Sequence, residues 1–416
     1  MADTVDSSVV VSGFSRTVID GGITAPAGFQ SAAIHCGIKA RAGVLDLVVL
    51  AADKPAAAAA LFTTNIVKAA PVLVSQQHLE RSKGWTRAIV VNSGCANACT
   101  GDKGMQDAVE MAAATAKGLG CGAEEVLVSS TGVIGVQLKM DRVLGGIKAA
   151  TGALARGKGE EAARAIMTTD LSPKSGAVEV STARGTFRIG GMAKGAGMIE
   201  PMMATMLGFI TTDADVPPAL LQRALREAAK DTFNAITVDG EASTNDSLFA
   251  LASGASGVRV DEDLYPALVE GLLAVARPLA LDIVRGGEGA TKLIAVNVHG
   301  ARTEEDARRV ARTIANSPLV KTAVHGADPT WGRILAAAGR SGTMFDVQRV
   351  TVRVGGVRLF ENGLPHDEAA PQAAEHLKGK EITIDVGLGE HPGSSATVWT
   401  CDLSAEYVRI NGEYRT

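Results

Sequence analysis

The chain has 416 residues, of which 46% are hydrophobic and 21% charged, so it is long enough to bury two or three separate cores. Its 41 Lys and Arg residues against 45 Asp and Glu residues give a net charge of -4, which excludes the basic surface typical of nucleic-acid-binding proteins. The apolar stretches are short or interrupted by charges such as Arg277 and Asp282, so the sequence predicts no helix that spans a membrane.

Hydrophobic periodicity predicts strands and helices that alternate along the chain. Two short buried strands are expected at 88–92 and 126–130, and the Ala-rich stretch between them, at 105–119, is typical of a helix. Further helices are predicted at 141–154, 160–167, 218–232, 264–277 and 304–316. Further strands are predicted at 177–181, 186–189, 293–299, 350–354, 381–386 and 396–401. The pattern indicates a mixed α/β fold, and no repeat or long linker divides it.

The amino terminus and the cysteines indicate the compartment. The first eight residues carry Asp3 and Asp6 and lack the basic and apolar regions of a secretory signal. The five cysteines are an odd and sparse set, which argues against a disulfide framework. No second Cys or His pair follows Cys95 and Cys99 at the spacing of a zinc site, so no metal is expected. We therefore predict a cytoplasmic protein with reduced thiols.

One segment near the middle of the chain, residues 194–213, differs in composition from its surroundings. It reads KGAGMIEPMMATMLGFITTD, in which two glycines and Pro201 permit tight backbone geometry ahead of an apolar run. A Thr hydroxyl is a weak nucleophile unless a base lies beside it. Cleavage between Ala204 and Thr205 would give Thr205 a free amine with a pKa of about 7.7 to 8, which can accept the proton of its own hydroxyl. On spacing alone, the alternative is a core strand at 203–210 in which Thr205 is a β-branched filler.

The same segment resembles the signature of the ornithine acetyltransferase family, also called the bifunctional arginine-biosynthesis glutamate N-acetyltransferases. The likeness continues in order over nearly the whole chain, through residues 22–29, 62–74, 91–101, 129–135, 165–170, 237–246, 286–292, 316–333 and 407–416. Several motifs in one order are far more specific than any one of them. The chain departs from the usual family residues at Cys95, Ala196, Glu200, Met202 and Glu241.

The resemblance implies a layered α/β sandwich like that of self-cleaving aminopeptidases, made of two chains from one precursor. Self-cleavage after Ala204 would leave an amino-terminal (alpha) chain, residues 1–204, which holds the oxyanion hole. The carboxy-terminal (beta) chain, residues 205–416, would begin with the nucleophile Thr205. Two alpha and two beta chains are expected to form a heterotetramer.

The resemblance also implies a ping-pong acetyl transfer in arginine biosynthesis. Thr205 would take acetyl from N-acetylornithine, ornithine would leave, and glutamate would accept the acetyl group. No cofactor is implied and no Gly-rich phosphate loop is present, although acetyl-CoA stays open as a second donor. The alternatives are a self-cleaving amidase or aminopeptidase in which water replaces glutamate, a paralogue in secondary metabolism, and an uncut binding protein.

The motif at 129–135 matches the oxyanion hole of the family, with the Thr131 hydroxyl and the Gly132 N–H as donors. A tetrahedral acyl intermediate needs such fixed donors where its negative charge develops. From the residues alone, the favoured interpretation is a strand followed by a glycine turn, and only the family context reverses it.

The resemblance assigns substrate contacts to Thr168, with Thr169 as its close rival, and to Lys194, Thr205, Glu288, Asn411 and Thr416. Lys194 suits the α-carboxylate of an amino acid, and Glu288 suits the ammonium end of an ornithine side chain. Without the motif, a lone Lys or Glu is typically a solvated surface charge. The carboxy terminus is expected to be tucked into the site. We expect His325 to be a hydrogen-bonded core residue and residues 239–246 to be structural or at the rim.

Overall fold

The computed structural model describes residues 8–11, 13–200, 206–391 and 393–413. The predicted cut site, Ala204 and Thr205, and the predicted contact Thr416 lie outside these residues. The strands are β1 (Ser8–Val11), β2 (Phe14–Ile19), β3 (Phe29–Ile34), β4 (Leu47–Phe62), β5 (Trp85–Cys95), β6 (Val126–Val133), β7 (Lys174–Thr182), β8 (Gly185–Lys194), β9 (Leu207–Thr212), β10 (Ser247–Ala252), β11 (Leu293–His299), β12 (Thr351–Val354), β13 (Val357–Glu361), β14 (Leu364–Pro365), β15 (Glu381–Gly387) and β16 (Ser395–Cys401). The helices are α1 (Ala70–Arg81), α2 (Gly101–Leu119), α3 (Met140–Gly152), α4 (Gly159–Ala165), α5 (Pro218–Lys230), α6 (Tyr265–Arg285), α7 (Glu304–Ala315), α8 (Pro318–His325), α9 (Trp331–Gly339), α10 (Ala370–Leu377) and α11 (Ala405–Glu413).

Ten strands form one large sheet with the order β1-β2-β7-β8-β9-β10-β4-β5-β6, and β3 pairs with β4. Neighbouring strands are antiparallel except for β9 with β10 and β5 with β6, which are parallel. Strand β4 pairs with β3 along its first half and with β10 along its second half. Strands β9 and β10, which follow the predicted cut, therefore lie at the centre of a sheet whose other strands precede it. The division into residues 1–204 and 205–416 stays a prediction.

Helices cover both faces of the large sheet. Successive side chains of a strand point to opposite faces, so Leu207 and Phe209 of β9 enter a core shared with α4, whereas Ile210 enters a core shared with α5 and α6. A further core lies where α1, α2 and α3 pack on β4, β5 and β6. The predicted mixed α/β, layered architecture is confirmed.

A six-stranded sheet follows in the chain, with the order β14-β13-β12-β15-β11-β16. Its apolar face forms a core with α7, α8, α9 and α10. It meets the first unit where Ile236 pairs with Trp399 of β16 and where the buried Lys321 ammonium donates to the Val238 carbonyl at 2.5 Å. After β16 the chain turns back, and the Ser404 hydroxyl donates to the Gly289 carbonyl at 2.6 Å. This turn brings α11 against the loop that follows α6.

Every predicted helix and strand overlaps an observed element of the same type. The predicted end of the helix at residue 277 was wrong, because α6 continues through Pro278 to Arg285. The apolar residues Leu279, Ala280, Ile283 and Val284 beyond the proline are buried, and their burial offsets the backbone hydrogen bond that proline cannot make. Within the described ranges, no helix combines the length and apolarity that crossing a membrane requires.

Candidate active site

One cleft brings together the described residues that the resemblance assigned to the site: Thr131, Gly132, Thr168, Lys194, Glu288 and Asn411. They come from the ends of β6 and β8, the loop after α4, the loop after α6, and α11. The rival contact Thr169 lines the cleft as well. The cleft has a volume of about 860 Å³, its open mouth included, which is ample for an amino-acid substrate. The roles of these residues stay predictions.

The first residues after the predicted cut also line this cleft. Met206 and Leu207 are buried in its wall, and Leu207 opens strand β9. The carbonyl of Met206 accepts the N–H of Ser247 at 3.1 Å, which ties it to the start of β10. The chain therefore enters the central strand at the cleft, immediately after position 205.

Thr131 and Gly132 lie near the end of β6, where that strand runs parallel to β5. Gly132 has a φ of 129°, and a Cβ atom there would lie 2.3 Å from the carbonyl carbon of Gly94. Both observations require glycine, because side chains rarely adopt this φ and the neighbouring backbone leaves no room. The close approach of the two strands thus explains the glycine, whatever chemistry it supports.

Lys194, the last residue of β8, is buried and directs its ammonium toward the oxyanion motif. Its Nζ donates to Thr131 Oγ1 at 3.3 Å, and within the described part of the chain no carboxylate forms an ion pair with it. Burial lowers the pKa of Lys194, and the nearby Asp170 carboxylate opposes that shift. A buried ammonium at a cleft, with no ion pair to a described carboxylate, has the chemistry to hold an anionic group, and that role stays a prediction.

Asp170, in the same loop as Thr168, connects several parts of the site. Its Oδ1 accepts the Lys174 ammonium at 2.6 Å and the Gly195 N–H at 2.7 Å, and its Oδ2 accepts the Thr168 N–H at 3.0 Å. Burial alone would raise the pKa of Asp170, but the ammonium groups of Lys194 and Lys174 lower it to about 2. Sequence reasoning assigned this residue no role, although Lys174 follows it by four positions.

Glu288 lies in the loop after α6. It lines the cleft and is buried. Its N–H donates to the Ala196 carbonyl at 2.8 Å, and its Oε2 accepts the side-chain amide of Asn411 at 2.8 Å. A Cβ atom at Gly197 would lie 2.4 Å from the same oxygen, so a side chain there would displace the Glu288 carboxylate from its present position. Helix α11 therefore contributes Tyr407 and Asn411 to the lining of the cleft. The predicted contact at the carboxy terminus lies outside the described residues.

Asp239 holds the chain that leads to the predicted cut. Its Oδ2 accepts the Met198 N–H at 2.7 Å, and its Oδ1 accepts the Ile199 N–H at 2.8 Å. Met198 has a φ of 57°, which is strained for a residue with a side chain. The hydroxyl of Tyr407 on α11 donates to Asp239 at 3.3 Å, and burial together with this carboxylate raises the pKa of Tyr407. Asp239 and Tyr407 both line the cleft, and sequence reasoning had assigned Asp239 at most a structural or rim role.

Glu200, one of the departures from the family pattern, is buried and paired. Its two carboxylate oxygens accept Nη1 of Arg312 at 2.9 Å and Nδ2 of Asn316 at 3.0 Å. Asn316 in turn accepts the Thr237 hydroxyl at 2.7 Å. Glu200, the last described residue before the predicted cut, is therefore anchored to α7 and to the residue that ends this helix.

His325 does not line the cleft. Its Nδ1 lies 2.7 Å from Asp402 Oδ2, so the predicted hydrogen bond is present, but 41% of the side chain is exposed and the predicted core position was wrong. Its place at the end of α8 leaves the ring at the surface. Across the described ranges, no group of three or more His, Cys, Asp or Glu side chains has the geometry to hold a metal ion.

Comparison with known proteins places these observations in a family. The ArgJ family profile matches residues 30–416. The arginine biosynthesis bifunctional protein ArgJ of Symbiobacterium thermophilum is 51% identical over 404 residues, which cover 95% of this chain and 99% of that protein.

Two solved structures are similar over about half of the chain. A chain of arginine biosynthesis bifunctional protein ArgJ from Bacillus halodurans is 39% identical, with a TM-score of 0.49, and the match covers 50% of this chain and 100% of that one. A chain of ornithine acetyltransferase from Mycobacterium tuberculosis, solved with ornithine, is 44% identical, with a TM-score of 0.42, and the match covers 45% of this chain and 100% of that one.

Proposed function

The chain belongs to the ArgJ family and is an acetyltransferase of arginine biosynthesis, and we propose that it moves acetyl from N-acetylornithine to glutamate with Thr205 as the nucleophile. The observation that carries the proposal is a pair of buried opposite charges in one cleft, Lys194 and Glu288, beside the first residues of β9. A cation and an anion so placed suit the carboxylate and the ammonium of an amino acid such as ornithine.

The nucleophile is proposed to arise by self-cleavage. The Thr205 hydroxyl attacks the carbonyl carbon of Ala204, and the acyl group moves from the amide nitrogen to the hydroxyl oxygen. Water then hydrolyses this ester, which leaves a carboxylate on Ala204 and a free amine on Thr205. The anchored flanks support this step, because Glu200 is held by an ion pair before the cut and Met206 by a main-chain hydrogen bond after it. Fixed flanks restrict the geometry of attack.

Acetyl transfer is proposed to follow in two halves. The Thr205 oxygen attacks the acetyl carbonyl of N-acetylornithine while the Thr205 amine takes the hydroxyl proton. The C–N bond breaks, the proton passes to the leaving amine, and ornithine departs from the acetyl ester. The neutral α-amine of glutamate then attacks that ester, and N-acetylglutamate leaves as the hydroxyl is restored.

Thr131 and Gly132 are proposed to stabilise the negative oxygen that develops in both halves. The position of both residues in the cleft supports this role, and a single lost donor of this kind costs about 100- to 1,000-fold in rate. The Thr131 oxygen accepts a hydrogen bond from Lys194, so the Thr131 hydroxyl proton can be donated to the negative oxygen of the intermediate. The remaining substrate contacts are proposed to be Thr168, Asn411 and Thr416.

The experiment that tests the proposal is an intact-mass measurement before and after incubation with N-acetylornithine. We expect two chains, the second beginning at Thr205, and an added acetyl group on that second chain alone. Glutamate should then remove the acetyl group much faster than water does. A single full-length chain in active material would refute the nucleophile, and release to water as fast as to glutamate would indicate an amidase.

The assembly and the donor range are further parts of the proposal. We propose a cytoplasmic heterotetramer of two alpha and two beta chains, which native mass spectrometry tests directly. We propose that no cofactor takes part. An assay in which acetyl-CoA replaces N-acetylornithine tests whether the enzyme also begins the pathway.

A further inference from the structure

Three charged side chains lie together at the wall of the cleft and are here called the buried charge cluster: Lys194, which lines the cleft, and Asp170 and Lys174 behind it. The side chains of Asp170 and Lys174 are 0% and 2% exposed, and Lys194 is 8% exposed. Lys174 opens β7 and Lys194 ends β8, and the antiparallel pairing of these strands sets Lys174 opposite Ala193, the neighbour of Lys194. Two cations and one anion give these three side chains a surplus positive charge, which the carboxylates of Asp246 and Glu288 near Lys194 offset in part.

We infer that Asp170 is a positioning residue, and that the buried charge cluster is built to be completed by the carboxylate of the bound amino acid. The inference rests on the proposed function and deepens it, because it names the groups that select an α-carboxylate. Asp170 itself does not line the cleft, so it acts through Lys194 and Thr168, which do.

The contacts of Asp170 fix both of the residues through which it acts. One oxygen receives the N–H of Thr168, and the other receives the N–H of Gly195, the residue that follows Lys194. Gly195 has a φ of 156°, and a Cβ atom there would lie 3.5 Å from the Cβ of Met206, so the bond to Asp170 holds the end of β8 beside the residues that flank the predicted cut. A single carboxylate therefore sets the positions of two proposed substrate contacts.

The charges are divided unequally within the cluster. Lys174 forms the direct ion pair with Asp170, whereas Lys194 forms none among the described residues and keeps donors for a ligand. The other charged groups that face Lys194 are Asp246 and Glu288. Lys39 is also near, because the charge of Lys194 helps to lower the pKa of Lys39. Leaving a buried ammonium without a contacting anion is costly unless a ligand supplies one. A bound carboxylate supplies that anion.

Electrostatics predicts opposite effects for the two partners of Lys194. Burial lowers the pKa of Lys194, Asp170 raises it and Lys174 lowers it. Removing the charge of Asp170 should therefore deprotonate Lys194 at lower pH. Removing the charge of Lys174 should keep Lys194 protonated to higher pH, because Asp170 is then free to form an ion pair with Lys194. A merely structural role for Asp170 predicts no such opposition.

The test compares Asp170→Asn and Lys174→Met with the wild-type enzyme in the pH profile of kcat/KM. Binding of the carboxylate requires protonated Lys194, so activity should fall as pH rises through its pKa. We expect the alkaline limb to move down by about one unit in Asp170→Asn and up by about half a unit in Lys174→Met. Titration of the substrates is common to all variants, so it cancels in the comparison. We also expect Asp170→Asn to raise KM for glutamate more than it lowers kcat.

Asp213→Asn is the matched control. Asp213 is likewise buried and accepts two main-chain N–H groups, those of Ala27 and Arg188, but it follows the far end of β9. In the Asp213→Asn variant, the alkaline limb of the kcat/KM profile should stay at the wild-type position. Equal shifts in Asp213→Asn and Asp170→Asn, shifts of one sign in both cluster variants, or no shift in either would overturn the inference.

A second measurement separates this inference from the proposed function. Calorimetric titration of the same variants with ornithine reports carboxylate binding without any acetyl transfer. If the wild-type enzyme makes no N-acetylglutamate, the proposed function fails, while opposite shifts in the pH dependence of ornithine binding would still support the cluster. If transfer succeeds and binding responds identically in all variants, only the inference about Asp170 fails.

Discussion

Lys194, the last residue of β8, lies directly opposite Leu207, the first residue of β9, in the antiparallel ladder of the large sheet. Position 205 precedes Leu207 by two residues, so the hairpin-like pairing of β8 and β9 brings a buried cation and the start of the predicted beta chain to the same end of the sheet. The predicted cut and the proposed carboxylate-binding residue Lys194 therefore lie at the same end of β8 and β9. Self-cleavage and acetyl transfer should therefore both depend on the side chain of residue 205.

Thr205→Ala is expected to leave one full-length chain and no acetyl transfer, because neither the hydroxyl nor the released amine is then present at that position. Thr205→Ser is the matched variant, since it keeps a hydroxyl and loses only a methyl group. We expect it to be cut, more slowly, into two chains. Denaturing electrophoresis and the transfer assay measure both outcomes, and normal transfer by Thr205→Ala would refute the nucleophile.

Gly132→Ala is expected to lower stability by about 3 kcal/mol or more, because its Cβ would lie 2.3 Å from the carbonyl carbon of Gly94. Gly135→Ala, in the turn that follows β6, is the control. Gly135 also has a positive φ, 79°, but no atom lies within 4 Å of its Cβ position, so only backbone strain of about 1 kcal/mol is expected. Urea unfolding compares the two. Equal losses would show that backbone strain, and not contact with β5, dictates glycine at position 132.

The secondary structure could be predicted where apolar residues follow a clear period between polar boundaries. The strand predicted at 293–299 coincides with β11, because Ile294, Val296 and Val298 occupy every second position of a run that ends at His299. Strand β4 was not predicted, since its alanines at 56–60 carry no alternation of apolar and polar residues. Those alanines are buried on both faces of the central sheet, a condition that only the assembled fold creates.

The candidate site could be predicted only as far as the resemblance extended. Residue types and spacing alone left Thr131, Lys194 and Glu288 as a strand residue and two surface charges. Asp170 could not be identified, because its bond to Gly195 joins positions 25 residues apart and depends on how β7 and β8 pair. The contacts of Asp239 could not be predicted for the same reason, because its partner Tyr407 is 168 residues away.

Glu288→Gln is expected to raise KM for N-acetylornithine by about 10- to 100-fold, because a buried carboxylate that faces an ammonium is lost. KM for glutamate should change much less, since the side chain of glutamate is anionic. Glu241→Gln removes the same charge from the exposed rim of the cleft and should change either KM by less than about threefold. Steady-state kinetics with each substrate in turn measures the difference. Equal effects of the two variants would mean that Glu288 acts through the general potential of the cleft and not by contact.

Asp239→Asn is expected to slow self-cleavage by about 10-fold or more and to leave the uncut precursor visible after expression. The carboxylate accepts the N–H groups of Met198 and Ile199 with its two oxygens, and an amide offers one acceptor and one donor in their place. One N–H group would then face another, and the strained turn at Met198 would lose the bond that maintains it.

The control for this prediction is Asp402→Asn, because Asp402 also accepts two successive main-chain N–H groups, those of Thr291 and Lys292. It lies outside the cleft, so its loss should lower stability without delaying the cut. The amount of precursor is followed over time by denaturing electrophoresis after a pulse of synthesis, and thermal unfolding is recorded for both variants. A comparable delay in Asp402→Asn would attribute the effect to general destabilisation. An undelayed Asp239→Asn would show that the turn at Met198 holds without the carboxylate, and that the cut segment is aligned from its other flank at Met206.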